Sequence, residues 1–290
     1  MKRVIQYLRF IAHFFKKNPA TLVGVIIISV SILLGIVSPL VTPYSPVEAD
    51  AMASLKAPSA KHLFGTDQSG MDIFTRVIYA IRTDLFIAIS ATLLSILIGI
   101  PIGVFAGFYS GRGKILSFLS DFIMRFTETM QAFPVFILAM ILVAVLGPNK
   151  INLIIGIAFV NSPIFLRLIR VEILGLRERT FAEAAKSIGN SNMRIAFRHL
   201  LPNGLLPVLT QVSITMGFSI ILTAGLSFIG AGVAVPEPEW GSMISIGAPN
   251  MMTGQWWPAL FPGLALGTTV LGFALIGDGI QKLSDPDERR

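Results

Sequence analysis

Six stretches of this 290-residue chain are apolar over about the length that a helix needs to cross a bilayer: 22–41, 85–108, 119–146, 151–169, 205–229 and 259–276. A hydrocarbon core about 30 Å thick takes about 20 residues of helix. Inside it every backbone N–H and C=O must be satisfied within the segment, which favours helices. The expected fold class is therefore all-α, a polytopic membrane protein with six transmembrane helices. The first half of the third stretch is unusually polar. Charged residues make up 13% of the chain, against about 25% in a soluble domain. That excludes an ordinary soluble enzyme, a disordered protein and a nucleic-acid-binding domain, and makes the lipid bilayer the first partner. The chain has no cysteine, which removes disulfides, thiolate metal sites and cysteine nucleophiles.

The placement of Lys and Arg sets the topology. With the N-terminus in the cytoplasm, seventeen fall inside: Lys2, Arg3, Arg9, Lys16, Lys17, Arg112, Lys114, Arg167, Arg170, Arg177, Arg179, Lys186, Arg194, Arg198, Lys282, Arg289 and Arg290. Five fall outside (Lys56, Lys61, Arg76, Arg82 and Lys150), and Arg125 lies within the third span. The positive-inside rule then puts both termini in the cytoplasm. The expected organisation is an arm at 1–20, a first helix at 21–41, an external segment at 42–84, a five-helix core at 85–280 with a cytoplasmic loop at 172–203, and a tail at 281–290. In the arm, Ile5, Leu8, Ala12 and Phe15 share one helical face that Arg3, Arg9, Lys16 and Lys17 largely avoid. This is the pattern of a helix lying on the membrane surface, or alternatively of a solvated basic tail. The first span exceeds the roughly 7–15 residues of a signal-peptide core, and Ser38-Pro39-Leu40 offers no small-x-small cleavage site.

The loop at 172–203 is the most informative stretch. Phe181, Ala184, Ala185 and Ile188 fall at i, i+3, i+4 and i+7, one apolar stripe. Glu183 stands at helix-pair spacing from Arg179 and Lys186. Gly189 supplies a helix stop, and Ser191 or Asn192 caps a second helix carrying Met193, Ile195, Ala196 and Phe197. Two readings follow. The stripe folds back onto the chain's own spans, or it docks a cytoplasmic partner.

Glu183-Ala184-Ala185, three residues, Gly189, nine residues and His199-Leu200-Leu201-Pro202 together resemble the EAA loop of bacterial ABC importer permeases. More narrowly, the chain resembles the second, C-type permease of the dipeptide/oligopeptide/nickel importer family. Supporting stretches are Phe64-Gly65-Thr66-Asp67-Gln68-Ser69-Gly70-Met71-Asp72, Leu176-Arg177-Glu178-Arg179, Leu226-Ser227-Phe228-Ile229-Gly230-Ala231-Gly232, Pro236 through Trp240-Gly241, and Gly277-Asp278-Gly279. The resemblance spans about residues 10–287. Met71 stands where the family often has Arg, Glu128 where it often has Asp, and His199 where the broader pattern is apolar; these departures weaken any carry-over of substrate preference. The resemblance implies the type I ABC importer permease fold in a bacterial inner membrane. It implies a translocation path shared with a second homologous permease, one or two cytoplasmic ATPase subunits, and an external substrate-binding protein. It makes Glu183, Ala184, Ala185, Ile188 and Gly189 the element coupled to the ATPase. ATP and Mg are then bound by the partner ATPases, with no cofactor in this chain. The solute is expected among di- and oligopeptides, nickel chelates, opines or sugars.

Arg125 and Glu128 lie three apart in the hairpin-side half of the third span, ahead of Pro134. They either line the path or a gate, or close a structural ion pair that offsets the cost of about 2.5–3.5 kcal/mol for a charge at the membrane centre. Asp121, one turn away, marks the interface and favours the ion pair. Asn161 and Ser162, beside Pro163, either line the path or bond to neighbouring helices. Gly111-Arg112-Gly113-Lys114 lacks the spacing of a phosphate loop, so the chain is not expected to hydrolyse ATP. His13, His62 and His199 have no metal-ligand spacing, and no serine sits in a Gly-x-Ser-x-Gly setting. A stand-alone secondary transporter is the alternative, against which stands the lack of paired broken helices and of a central ion-coupling carboxylate.

Overall fold

The computed structural model describes residues 13–284. Among these residues the regular elements are helices: α1 (Pro19–Val41), α2 (Ile73–Tyr109), α3 (Lys114–Ala132), α4 (Val135–Leu146), α5 (Lys150–Leu176), α6 (Thr180–Ser187), α7 (Asn192–Arg194), α8 (Leu206–Phe228), α9 (Trp240–Met251) and α10 (Trp257–Ser284). A π turn, Ile195–Leu200, and a 3-10 turn, Leu201–Gly204, continue α7 toward α8. Helices α1, α2, α5, α8 and α10 are each long and apolar enough to cross a membrane. The expected amphipathic arm falls largely on residues 1–12, outside those described. Four residues of the expected tail, 281–284, belong to α10.

The third span is not one rod. Helices α3 and α4 qualify as a crossing only when taken together, and they meet at 95°. The cause is local. Pro134 has no N–H to donate, and its ring drives the preceding residue out of the helical region. Phe133 accordingly sits at φ −79°, ψ 140°. Helix α4 has 12 residues and is about 18 Å long at 1.5 Å per residue, short of the bilayer core.

Helix α2 also departs from expectation. It begins at Ile73, twelve residues ahead of the apolar stretch, capped by Asp72 Oδ2, which accepts from Thr75 N at 2.8 Å. The two arginines of this stretch are both engaged by backbone carbonyls. Arg76 Nη1 donates to the carbonyls of Pro46 and Pro236, at 2.7 and 3.1 Å. Arg82 bonds the carbonyls of Gly35 and Ile36 at the end of α1. A polar first turn is therefore held in a helix by tertiary partners.

Helices α2 and α5 run parallel and share the tightest seam. Ser95, Gly99, Gly103 and Gly107 recur every four residues and face Ala158, Ser162, Leu166 and Arg170, also four apart. Small residues at this spacing let two backbones touch. A Cβ on Gly103 would stand 2.4 Å from the Leu166 carbonyl oxygen and 2.4 Å from Ile169 Cγ2. Within its apolar window α5 is 56% buried and α1 only 22%, so α5 is the inner helix and α1 lies at the rim, packed on α10.

The two ends of the bundle differ. At one end the α5–α8 connection forms a helical hairpin. At the other, residues 42–72, the first turns of α2, helix α9 and the start of α10 form a cap. Trp257 Nε1 donates to the Thr66 carbonyl at 3.1 Å, and Phe64 stacks on Phe261 with centroids 4.0 Å apart. His62 Nδ1 meets Asp72 Oδ1 at 2.9 Å. Met71 is buried in this cap, its sulfur 2.9 Å from Arg76 Nη1. Burial pushes the Asp67 carboxyl up from the usual range, opposed by the Met71 amide, the Arg76 charge and the Ser69 amide.

Candidate functional site

The hairpin is positioned by one arginine. A helix C-terminus leaves its last carbonyls without donors, and Arg177 Nη1 supplies them to α2. It donates to Gly107 O at 2.9 Å, Phe108 O at 3.0 Å and Ser110 O at 2.7 Å. Arg177 Nε donates to Glu178 Oε1 at 2.9 Å, and Arg112 approaches the same oxygen at 3.5 Å. That carboxylate is exposed, so the ion pairs contribute little beyond orientation. The Leu176-Arg177-Glu178-Arg179 motif is thus the clamp between the end of α2 and the start of the hairpin.

Helix α6 then closes in a Schellman motif. Gly189 N donates to Lys186 O at 3.0 Å and Asn190 N to Ala185 O at 3.3 Å, with Gly189 at φ +84°. Asn190 Nδ2 adds a bond to Ala185 O at 3.0 Å. Ser191 is the cap of α7, its Oγ accepting from Arg194 N at 3.4 Å.

Burial divides the expected stripe in two. Ala182 and Ala185 point inward and join Phe108, Ile173, Ile195, Ala196 and Leu200 in one apolar cluster. Phe181 and Ile188 point outward, 40% and 79% exposed, with Ala184 exposed between them along α6, and Met193 of α7 is 52% exposed. Ala185, expected on the docking face, is therefore a packing residue, and Ala182 is its unanticipated neighbour. The fold-back reading therefore describes one side of the hairpin only. One side of the hairpin folds back onto the ends of α2 and α5, and the other side is left uncovered. Glu183 is exposed, and among the described residues it closes no ion pair with Arg179 or Lys186.

The membrane charges lie on α3. Arg125 and Glu128 are both exposed, and among the described residues they do not pair with each other. Instead they line a cavity of about 550 Å³ together with Asp121 and Arg170. Arg170 had no functional signal in the sequence beyond its place in the basic loop. A second cavity of about 400 Å³ opens at the α3–α4 bend, between Gln131, Phe133, Pro134, Pro163 and Phe218. Arg167 of α5 hydrogen-bonds Gln131, which lines that cavity. Asn161 joins neither cavity. It is fully buried, and its Nδ2 donates to Ser219 Oγ at 3.2 Å, tying α5 to α8. Of the three candidate path residues, two share a cavity and the third is a helix-to-helix tie.

Known proteins resemble this chain in sequence and in fold. Residues 99–290 match the family model described as the binding-protein-dependent transport system inner membrane component, and residues 7–58 match the N-terminal transmembrane domain of oligopeptide transport permease C. The dipeptide transport system permease protein DppC of Alkalihalophilus pseudofirmus is 42% identical over 271 residues, covering 93% of this chain and 87% of that protein. The probable D,D-dipeptide transport system permease protein DdpC of Escherichia coli is 37% identical, covering 93% and 89%. The glutathione transport system permease protein GsiD of Pectobacterium atrosepticum is 37% identical, covering 80% and 74%. Among solved structures, an inward-facing MetNI methionine ABC transporter chain aligns with a TM-score of 0.57 at 18% identity, over 72% of this chain and 96% of that one. These likenesses favour an importer subunit over a stand-alone secondary transporter. With the EAA hairpin clamped beneath a bundle of this fold, the chain belongs to the family of binding-protein-dependent transport system inner membrane components, as a multi-pass, C-type permease subunit of an ABC importer.

Proposed function

We propose that this permease forms one half of a path for di- or oligopeptides, the other half coming from a second homologous permease. One or two cytoplasmic ATPase subunits dock on its hairpin and an external binding protein delivers solute to its cap. ATP and Mg are bound by those ATPases and not by this chain. The relatives named above are dipeptide, D,D-dipeptide and glutathione permeases, which supports a short peptide as the solute. The cavity of Asp121, Arg125, Glu128 and Arg170 carries both signs of charge, as the ends of a peptide require. The uncovered Phe118, Phe122 and Phe126 of α3 suit the second permease.

One observation carries the docking role. An apolar face of Phe181, Ala184 and Ile188 is left exposed on a hairpin whose other face is packed and whose base is clamped by Arg177. Burying a large aliphatic side chain is worth about 1.5–3 kcal/mol, and a charge there adds desolvation cost. Ile188→Glu is therefore expected to weaken ATPase retention by about tenfold to a hundredfold at unchanged membrane levels, measured by pull-down of the assembled complex. Full retention would remove the docking role.

The orientation has its own test. The chain is free of cysteine, so single cysteines at Ser59 and Ser191 report on an impermeant thiol reagent in intact cells. Labelling is expected at position 59 and absent at 191, with the hairpin inside. The reverse pattern would invert the topology.

A further inference from the structure

At the cap end of the bundle, α2, the start of α5 and the connection from α8 to α9 enclose a cavity of about 520 Å³. Arg82, Lys150 and Glu237 give it charge, and Tyr79 and Phe86 give it rings. Its depth follows from the apolar runs beside it. The run of α2 opens at Leu85 and that of α5 at Ile151. At about 1.5 Å per residue, Arg82 and Lys150 stand about 4.5 and 1.5 Å outside the hydrocarbon. That is the level of phospholipid headgroups.

The walls are fixed from behind. Arg82 Nε donates to Gly35 O and Nη2 to Ile36 O, the latter at 2.9 Å, and the guanidinium lies 5.4 Å from the centre of the Tyr79 ring. Glu237 Oε1 accepts from Lys150 Nζ and, at 3.1 Å, from Thr83 Oγ1. Trp240, three residues on, donates its backbone N–H to Asp84 Oδ2 at 3.2 Å and its indole N–H to Val77 O at 3.1 Å, which roots α9 on α2. Three polar groups of the lining are left over. Among the described residues, Arg82 Nη1 has no acceptor, Glu237 Oε2 has no donor, and the Tyr79 hydroxyl has no partner.

The cavity also continues into an apolar stripe. Phe86, Ile89, Leu93 and Leu97 are all exposed and fall at i, i+3, i+7 and i+11 on one face of α2. The stripe runs about 17 Å into the hydrocarbon. A ligand here therefore meets a cation, a phenol and a carboxylate oxygen at headgroup level, with bare hydrocarbon-facing side chains beneath. A phosphate answers the cation and the phenol, an ammonium answers the carboxylate, and an acyl chain answers the stripe. A short peptide supplies both charges but nothing for the stripe. A purely anionic lipid leaves Glu237 facing like charge.

We propose that this cavity binds the headgroup of a zwitterionic phospholipid with a primary amine. Its phosphate rests on Arg82 Nη1 and the Tyr79 hydroxyl, its ammonium on Glu237 Oε2, and an acyl chain on the α2 stripe. The lipid so placed joins α2, α5 and the root of α9 from outside. The site is independent of which solute the importer carries.

The test uses the full chain in its assembled importer, in phosphatidylcholine nanodiscs with a trace of phosphatidylethanolamine bearing a diazirine on its acyl chain. Photolysis is expected to crosslink residues 86–97. Unlabelled phosphatidylethanolamine should compete about tenfold better than phosphatidylglycerol, the effect of one charge-assisted hydrogen bond. Glu237→Gln keeps an oxygen for Lys150 and Thr83 but offers the amine no charge, and it should bring that ratio to about one. Tyr79→Phe keeps the ring beside Arg82 and should weaken both competitors alike, by about threefold to tenfold. No crosslink to 86–97 in the assembled importer would overturn the proposal, as it would if the second permease covered the stripe. Equal competition by the two lipids in wild type, an unchanged ratio in Glu237→Gln or unchanged competition in Tyr79→Phe would also overturn it. So would displacement of the labelled lipid by a short peptide, which would give the cavity to solute.

Discussion

Gly103→Leu is expected to leave almost no correctly folded chain in the membrane. Even its first added carbon would overlap the Leu166 carbonyl oxygen and the Ile169 side chain at 2.4 Å. The carbonyl belongs to the backbone of α5 and cannot rotate away. Ordinary overpacking costs about 1–3 kcal/mol. Forcing apart the most buried helix pair exceeds that, against a total margin of about 5–15 kcal/mol for a folded domain. Gly263→Leu on α10, where nothing lies within 4 Å of an added Cβ, is the matched control and should fold normally. The measurement is monodisperse yield after mild detergent extraction at equal expression. Equal yields from the two variants would show that the α2–α5 seam is not the contact that holds the bundle.

Gly189→Val is expected to do the opposite: normal membrane levels with little or no transport. An added Cβ at Gly189 meets nothing within 4 Å, so the penalty is purely conformational. At φ +84° a β-branched residue costs about 1–3 kcal/mol. The chain escapes that cost by opening the turn, which redirects α7 relative to α6. Moving a two-state transporter from 1:99 to 99:1 takes about 5.5 kcal/mol of differential binding, and a redirected hairpin forfeits a large part of it. Gly189→Asn, which tolerates the left-handed region, should retain most transport. Uptake and ATPase pull-down at matched expression decide the matter. Normal uptake by the valine variant would reduce the hairpin to packing.

Much of the bundle was legible because lipid demands long apolar runs. The expected starts of α1, α5 and α8, at 22, 151 and 205, lie within three residues of Pro19, Lys150 and Leu206. The turn at Gly189 was legible from the EAA spacing. What was not legible depends on contacts distant in sequence. The opening of α2 reads as loop until the carbonyls of Pro46 and Pro236 are seen to receive Arg76. Arg125 and Glu128 stand three apart along α3, yet they line a cavity that is completed by Arg170, a residue distant in sequence on α5. Helical spacing placed Ala185 in an apolar stripe, but only the ends of α2 and α5 decide that it faces inward and Ile188 outward. Asp84 and Trp240 are 156 residues apart, so no local pattern announced the junction at the root of α9.

Helix α2 has 37 residues, which at 1.5 Å each makes a rod about 55 Å long, well beyond the thickness of the hydrocarbon it crosses. One end is gripped by Arg177 at the base of the hairpin and the other by Arg76 within the cap. A shaft held at both ends transmits rotation as well as push and pull, so a tilt of the hairpin is delivered to the far side of the membrane without any helix unwinding. Its one compliant joint is Pro101, whose missing N–H leaves the Leu97 carbonyl without its helical donor. That joint sits between Gly99 and Gly103, where α5 presses closest, so α5 acts as a splint that keeps the shaft stiff along the stretch where it would otherwise flex.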